Sequence, residues 1–198
     1  MRNQEKAPRL TVAFASAEEA VQPAEVGWKW RDFVAGRLAA ERALQALTGS
    51  ADAVIEPGSD GQLTARGGGQ AVQLCLAHQD GHAASVATQA PVGVGIDLVR
   101  VDSVQDAELR FFLTPRERGQ RCAYDSSVLW AIKEAAWKAM ACPRGAPFQA
   151  LELELDENGC IAAVRYRGVR CCRAGALIVT PPWADYRAAV VWLIRGAA

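Results

Sequence analysis

Apolar residues recur at helical spacing along residues 28–47, where Trp30, Phe33, Val34, Leu38, Ala40, Leu44 and Leu47 fall on one side. Thr48-Gly49-Ser50 supplies a stop, so the pattern predicts a helix over 28–47. A second helix is predicted over 127–140, ended by Cys142-Pro143-Arg144-Gly145. A third is expected over 104–112. Thr114-Pro115-Arg116-Glu117 then has the form of a helix start, with a Thr cap, Pro at the first position and Glu at the third. Short apolar or alternating stretches predict strands over 10–15, 71–76, 82–88, 92–101, 151–155, 161–166, 176–179 and 186–194. Residues 57–61 and 66–69 are turn-rich, and Gln89-Ala90-Pro91 reads as a connector.

The pattern repeats weakly within the chain. Ala40-Glu41-Arg42-Ala43-Leu44-Gln45-Ala46-Leu47 echoes Lys133-Glu134-Ala135-Ala136-Trp137-Lys138-Ala139-Met140. Residues 80–87 echo residues 184–191, and both pairs keep their order. The expected fold is α+β, a pseudodimer of two similar lobes at 1–90 and 91–198. Chance similarity between alanine-rich helices is the alternative.

Composition narrows the class. About half of the 198 residues are hydrophobic (51%), enough for a packed core. Lys plus Arg and Asp plus Glu are each 22, so a general nucleic-acid or membrane-surface binder has no support, and any phosphate site must be a local cluster. The cysteines at 75, 122, 142, 160, 171 and 172 form no Cys-x-x-Cys pair, which leaves zinc and thioredoxin-like readings without their spacing. They read as free thiols in a reducing compartment. The first ten residues lack the apolar stretch of a secretory signal. The longest apolar run, 188–194, is far short of the roughly 20 residues of a membrane span. A cytoplasmic protein is expected.

Two features carry candidate chemistry. Asp97 stands alone in an apolar strand, where a carboxylate is costly unless it is paired, binds a cation or caps the strand end. Glu134 and Lys138 lie four apart on one helix face, a spacing that by itself describes a surface ion pair. Trp130, Lys133 and Trp137 share a second face, where aromatic packing is expected. Taken together, a strand carboxylate and a helix carboxylate could hold one Mg²⁺, with Lys138 reaching the same phosphates. That arrangement suits phosphoryl transfer.

Gly95-Ile96-Asp97, then Phe112-Leu113-Thr114-Pro115-Arg116-Glu117, then Trp130-Ala131-Ile132-Lys133-Glu134-Ala135-Ala136-Trp137-Lys138 resemble the signature of the 4'-phosphopantetheinyl transferase superfamily. Upstream, residues 31–40 resemble the basic helix of its Sfp-type members, and residues 72–81 resemble their strand ending in Ser-His. The last strand, 186–191, also resembles theirs. The resemblance covers roughly residues 28–194.

It implies a two-lobed pseudodimer with coenzyme A in the cleft, and transfer of phosphopantetheine to a serine of an acyl or peptidyl carrier protein. It implies that Asp97 and Glu134 bind Mg²⁺, that Glu134 helps deprotonate the serine, and that Lys138 neutralises phosphate charge. His78 would hydrogen-bond a coenzyme A phosphate. Arg31 and Arg37 would lie near the nucleotide 3'-phosphate, or simply on a solvated helix face. Glu117 matches a family acid, or caps a helix. One chain supplies both lobes, so a monomer is expected, with no nucleic-acid or membrane partner.

Several positions depart from the pattern. Val99 stands where many Sfp-type members have a second acid, and Ala77 where a Ser usually precedes the His. Gln62 and Leu63 replace a basic residue and a proline, and Glu41 stands where a Lys often sits. These departures motivate an alternative, a degenerate relative that binds coenzyme A or carrier protein without transfer. A structural α+β protein with a chance motif is a third reading.

Overall fold

The computed structural model describes residues 8–20, 27–50, 54–57, 63–67, 69–120, 124–143 and 145–195. Gln62, Cys122, Arg144 and most of the expected 57–61 turn lie outside the described residues.

The described residues form a mixed α+β structure with two five-stranded antiparallel sheets. The first contains β1 (Thr11–Ser16), β2 (Val54–Pro57), β3 (Leu63–Gly67), β4 (Gln70–Gln79) and β5 (His82–Thr88), in the order β1-β5-β4-β3-β2. The second contains β6 (Gly93–Arg100), β7 (Leu151–Leu155), β8 (Ile161–Tyr166), β9 (Val169–Val179) and β10 (Tyr186–Arg195), in the order β6-β10-β9-β8-β7. A long helix follows the first strand of each sheet in sequence. These are α1 (Trp28–Thr48) and α4 (Ser126–Ala139), the latter preceded by the one-turn helices α2 (Leu109–Phe112) and α3 (Pro115–Arg118).

The central strands β5 and β10 explain the unbroken apolar runs. Ala83 and Ala87 on β5 face α1, while Ala84 and Val86 face the other sheet. On β10, Ala189 and Val191 join the core around α4, while Ala188 and Val190 join the layer between sheets. A strand buried on both faces has no solvent side, so the period-2 alternation disappears. The intersheet layer includes Ala77, Val86, Ile96, Leu98, Tyr186 and Val190. Ile96, Val86 and Val190 are fully buried there, each contributing about 1.5–3 kcal/mol of hydrophobic stabilisation.

Most expected elements are present, with shifted ends. α1 ends at Thr48, and Gly49 takes the left-handed φ of 69° that closes it. The expected helix over 104–112 is shorter than its pattern. Asp102 adopts a φ of 57°, and the chain begins to coil only after Gln105, whose amide donates to Glu108 Oε2 at 2.7 Å. A 3-10 turn over Asp106–Glu108 and α2 take up the remainder. β9 starts seven residues before the expected 176, because Arg170 and Arg173 break the apolar pattern of its first half. No helix of the described residues is long and apolar enough to cross a membrane.

Candidate active site on strand β6 and helix α4

The site begins with two glycines. A Cβ on Gly95 would overlap the Ala135 carbonyl oxygen and stand 2.7 Å from the Ala139 nitrogen, and one on Gly93 would overlap the Ala139 carbonyl oxygen. The α4 backbone therefore lies directly on β6, two residues from Asp97. Asp125 fixes the start of α4 by accepting from the Val128 amide at 2.8 Å. Ile132, Ala135 and Ala136 are fully buried against the sheet. That packing sets the rotation of α4 and hence the direction of Glu134 and Lys138.

Lys138 leaves the helix toward the edge of β6. Its Nζ donates to Asp97 Oδ1 at 2.7 Å and to the Ile96 carbonyl at 3.0 Å. The ion pair thus runs from strand to helix rather than along the helix to Glu134. β6 is an edge strand, and Lys138 satisfies one of its outward carbonyls. The Asp97 side chain is 13% exposed and that of Lys138 is 30% exposed. Burial raises the Asp97 carboxyl above its ordinary value, against the pull of the Lys138 ammonium. Burial alone would lower Lys138, but Asp97, with Cys75 and Glu134, outweighs it and holds the ammonium charged. Glu134 is raised by burial first and by the negative charge of Asp97 second, with Lys138 opposing both. Two carboxylates share one ammonium, so the cluster carries an excess negative charge that a cation or a proton would relieve.

A second ion pair stands behind the first. The Lys133 side chain is fully buried, and its Nζ donates to both Glu117 oxygens at 2.6 and 2.7 Å. Glu117 also accepts from the Leu153 amide at 2.8 Å and the Thr114 amide at 2.7 Å, while Thr114 Oγ1 caps the Glu117 amide. Burial lowers the Lys133 ammonium from its ordinary value despite the pull of Glu117. Trp130 and Trp137 both pack on Phe148, and Phe112 meets Trp130 edge-on. Glu117 therefore does two things at once: it caps α3 and ties α3 and β7 to α4.

The first sheet brings β4 alongside. Cys75 has its thiol pushed up by burial, with Lys138 pulling the other way. His78 is exposed, and its Nδ1 lies 3.4 Å from Asp32 Oδ2 on α1. Asp32 Oδ1 also accepts the Gly81 amide at 2.7 Å. His78 is near enough to Asp97 that a charge on the imidazole, when it is protonated, would lower that carboxyl. Arg31 lies beside the same turn, because a Cβ on Gly81 would meet its Nε at 3.6 Å. Arg37 is elsewhere on α1, in an exposed ion pair with Glu41 at 2.8 Å. Val99 is buried in the core around α4, and Ala77 is buried in the intersheet layer.

The structure thus brings Asp97, Glu134 and Lys138 into one cluster, sets His78 and Arg31 at the neighbouring β4–β5 turn, and leaves Arg37 with Glu41. Sequence reasoning missed Asp32 and the burial of Lys133. Asp32 sits inside the helix segment that carried the resemblance, and the capping pattern at Thr114 already singled out Glu117. What a linear reading lacks is the 16-residue jump from Glu117 to Lys133 and the 46-residue jump from Asp32 to His78.

No curated protein matches the chain. The family model described as the 4'-phosphopantetheinyl transferase superfamily matches residues 93–191, half of the chain. The matched segment starts at the glycine that admits α4, runs through Asp97, Glu117, Glu134 and Lys138, and ends within β10. With that match spanning both ends of the charged cluster, the chain belongs to the 4'-phosphopantetheinyl transferase superfamily.

Proposed function

We propose that this chain transfers 4'-phosphopantetheine from coenzyme A to a serine of an acyl or peptidyl carrier protein, converting the apo carrier to the holo form. The observation that carries the reading is the shared cluster of Asp97, Glu134 and Lys138 inside the family match. Identical strand order in the two sheets supports the finer reading as an Sfp-type pseudodimer, with lobes at 1–90 and 91–198. We further infer a cytoplasmic monomer that acts without nucleic acid or membrane.

The residues fit a divalent cation. Among the described residues, no three His, Cys, Asp or Glu cluster so as to hold a metal by themselves. Magnesium needs no such cage, because it takes one or two carboxylates and completes its shell with water and substrate phosphate. Asp97 and Glu134 are two such carboxylates, with raised pKa values and only one ammonium between them. Bound there, Mg²⁺ would neutralise charge on the pyrophosphate of coenzyme A.

Lys138 places a fixed positive charge beside the same phosphates. The serine oxygen forms a bond to the β-phosphorus, and the bond to the bridging oxygen breaks. Adenosine 3',5'-bisphosphate leaves. Glu134, whose carboxyl is raised above its ordinary value by burial and by Asp97, accepts the serine proton directly or through water. His78 and Arg31, at the β4–β5 turn, would hold coenzyme A phosphates, and Arg37 would reach the nucleotide only on leaving Glu41.

Protein incubated with Mg²⁺, coenzyme A and an apo carrier should produce the mass gain of a phosphopantetheine group. Asp97→Ala or Glu134→Ala should abolish it, and full activity in both variants would refute the metal assignment. A degenerate relative is the second reading. It is motivated by the buried Val99, the hydroxyl-free Ala77 and the engaged Arg37. Coenzyme A binding by calorimetry without turnover on a panel of carriers would favour it.

A further inference from the structure

Asp32 is a buried carboxylate on α1 whose side chain is 11% exposed. Both of its oxygens face nitrogens of the β4–β5 region. Oδ1 accepts the Gly81 amide at 2.7 Å, and Oδ2 lies 3.4 Å from His78 Nδ1. Gly81 belongs to a tight turn in which Asp80 and Gly81 have φ values of 53° and 78°. The turn is held from the other sheet as well, because Tyr186 on β10 donates its hydroxyl to Asp80 Oδ2 at 3.1 Å. The end of β4 that carries His78 is therefore fixed from two sides.

An ionised carboxylate can only accept hydrogen bonds. A neutral imidazole has one N–H and one bare nitrogen, and the partner of one nitrogen decides which is which. We propose that Asp32 is the positioning residue of His78: it holds the imidazole proton on Nδ1 and leaves Nε2 as the face offered to ligand. A neutral His78 then presents a lone pair, and it becomes a donor to an anion only on taking up a second proton. In that doubly protonated form the ring would donate from Nε2 to an anion while its Nδ1–H faces the carboxylate. The functional half of this inference rests on His78 contacting coenzyme A; the tautomer does not.

Asp32→Asn separates the possibilities. The amide keeps the shape but has a single acceptor oxygen. If that oxygen keeps the Gly81 amide, the NH₂ group faces His78 Nδ1 and donates to it, which drives the imidazole proton to Nε2.

The chain has two histidines, so imidazole ¹⁵N spectra contain two ring systems, and His78→Gln assigns them. At a pH of about 9, above the ordinary imidazole value of about 6.5, both rings are read as neutral tautomers. The expected result is an Nδ1–H tautomer for His78 in the unmodified protein and an Nε2–H tautomer in Asp32→Asn. An Nε2–H tautomer in the unmodified protein overturns the proposal without any variant having to fold, as does a tautomer unmoved by Asp32→Asn.

In the transfer assay, Asp32→Asn should raise KM for coenzyme A roughly fivefold, as when a charged hydrogen bond is replaced by a neutral one, and leave kcat within about twofold. In a His78→Ala background the substitution should add no further effect, and a penalty that persists there overturns the proposal. Failure of the coenzyme A reading itself would show separately, as absence of coenzyme A binding to the unmodified protein.

Discussion

The two sheets share one strand order and each carries one long helix, yet the helices meet their strands through opposite chemistry. Apart from the buried Asp32 near its start, α1 packs with alanines and leucines, among them Ala35, Ala39, Ala43 and Leu44, and its Arg37–Glu41 and Arg42–Glu19 ion pairs stay about half exposed. α4 brings Lys133 fully inside and sets Lys138 against a mostly buried Asp97. One framework thus serves once mainly as a packed support and once as a holder of buried ion pairs. The difference is expensive. Exposed pairs such as Arg37–Glu41 contribute about 0–1 kcal/mol, whereas a buried charge stripped of its partner costs about 3–5 kcal/mol.

The largest expected effect comes from breaking the buried pair. Lys133→Met leaves Glu117 inside with two amide donors and no cation. It should destabilise the protein by about 3–5 kcal/mol in denaturant titration. A loss near the surface-pair value would mean that the contrast between the helices is not energetic.

Next comes the close approach of α4 to β6. Gly95→Ala puts a methyl group into the Ala135 carbonyl, backbone against backbone, and should cost about 2–3 kcal/mol together with much of the activity, because Glu134 moves with the helix. The opposite sign is expected on α1. A Cβ on Gly36 would stand 3.5 Å from Leu76 Cδ1, an ordinary contact. Gly36→Ala should therefore stabilise by about 0.5–1 kcal/mol through helix propensity alone. Equal signs for the two glycines would break the comparison.

The smallest effect is a pH dependence. Glu134 titrates above its ordinary value of 4.5 in the folded chain, so the native state holds that proton more firmly than the unfolded one. Stability is then lost as pH rises through the folded value, and nothing is lost below the unfolded one. Glu134→Gln should raise Tm by a few degrees at most at neutral pH, and the gain should vanish below about pH 4. The same variant should be inactive. A stabilised, inactive protein is the signature of a carboxylate kept for chemistry rather than for folding.

The sequence made α4, β5, β6, β7, β8 and β10 legible because each carries an apolar run with clear ends. It hid the first half of β9, where Arg170 and Arg173 break the apolar pattern and the strand is held by its pairing with β8. It also suggested too long a helix before Leu113, because spacing does not register the positive φ at Asp102. Within the site, Asp97, Glu134 and Lys138 stood out by motif. The four-residue spacing pointed to a Glu134–Lys138 pair, and only the closeness of α4 to β6 gives Lys138 to Asp97 instead. Lys133 looked like part of an aromatic face. Phe148 does pack there, but the ammonium finds its partner in Glu117.

The apolar layer between the sheets bears on how the chain could be cut. Ala77, Ala84 and Val86 on one side, with Ile96, Leu98 and Val190 on the other, form a surface that neither half can leave in water. The covalent link across it is Gln89-Ala90-Pro91, whose Gln89 and Pro91 are exposed. Cleavage at that link would leave a noncovalent complex, and fragments produced apart should reassemble. Because Lys138 and Asp97 lie on one fragment and His78 and Asp32 on the other, recovered activity would report the rejoining, which is the requirement for a split reporter.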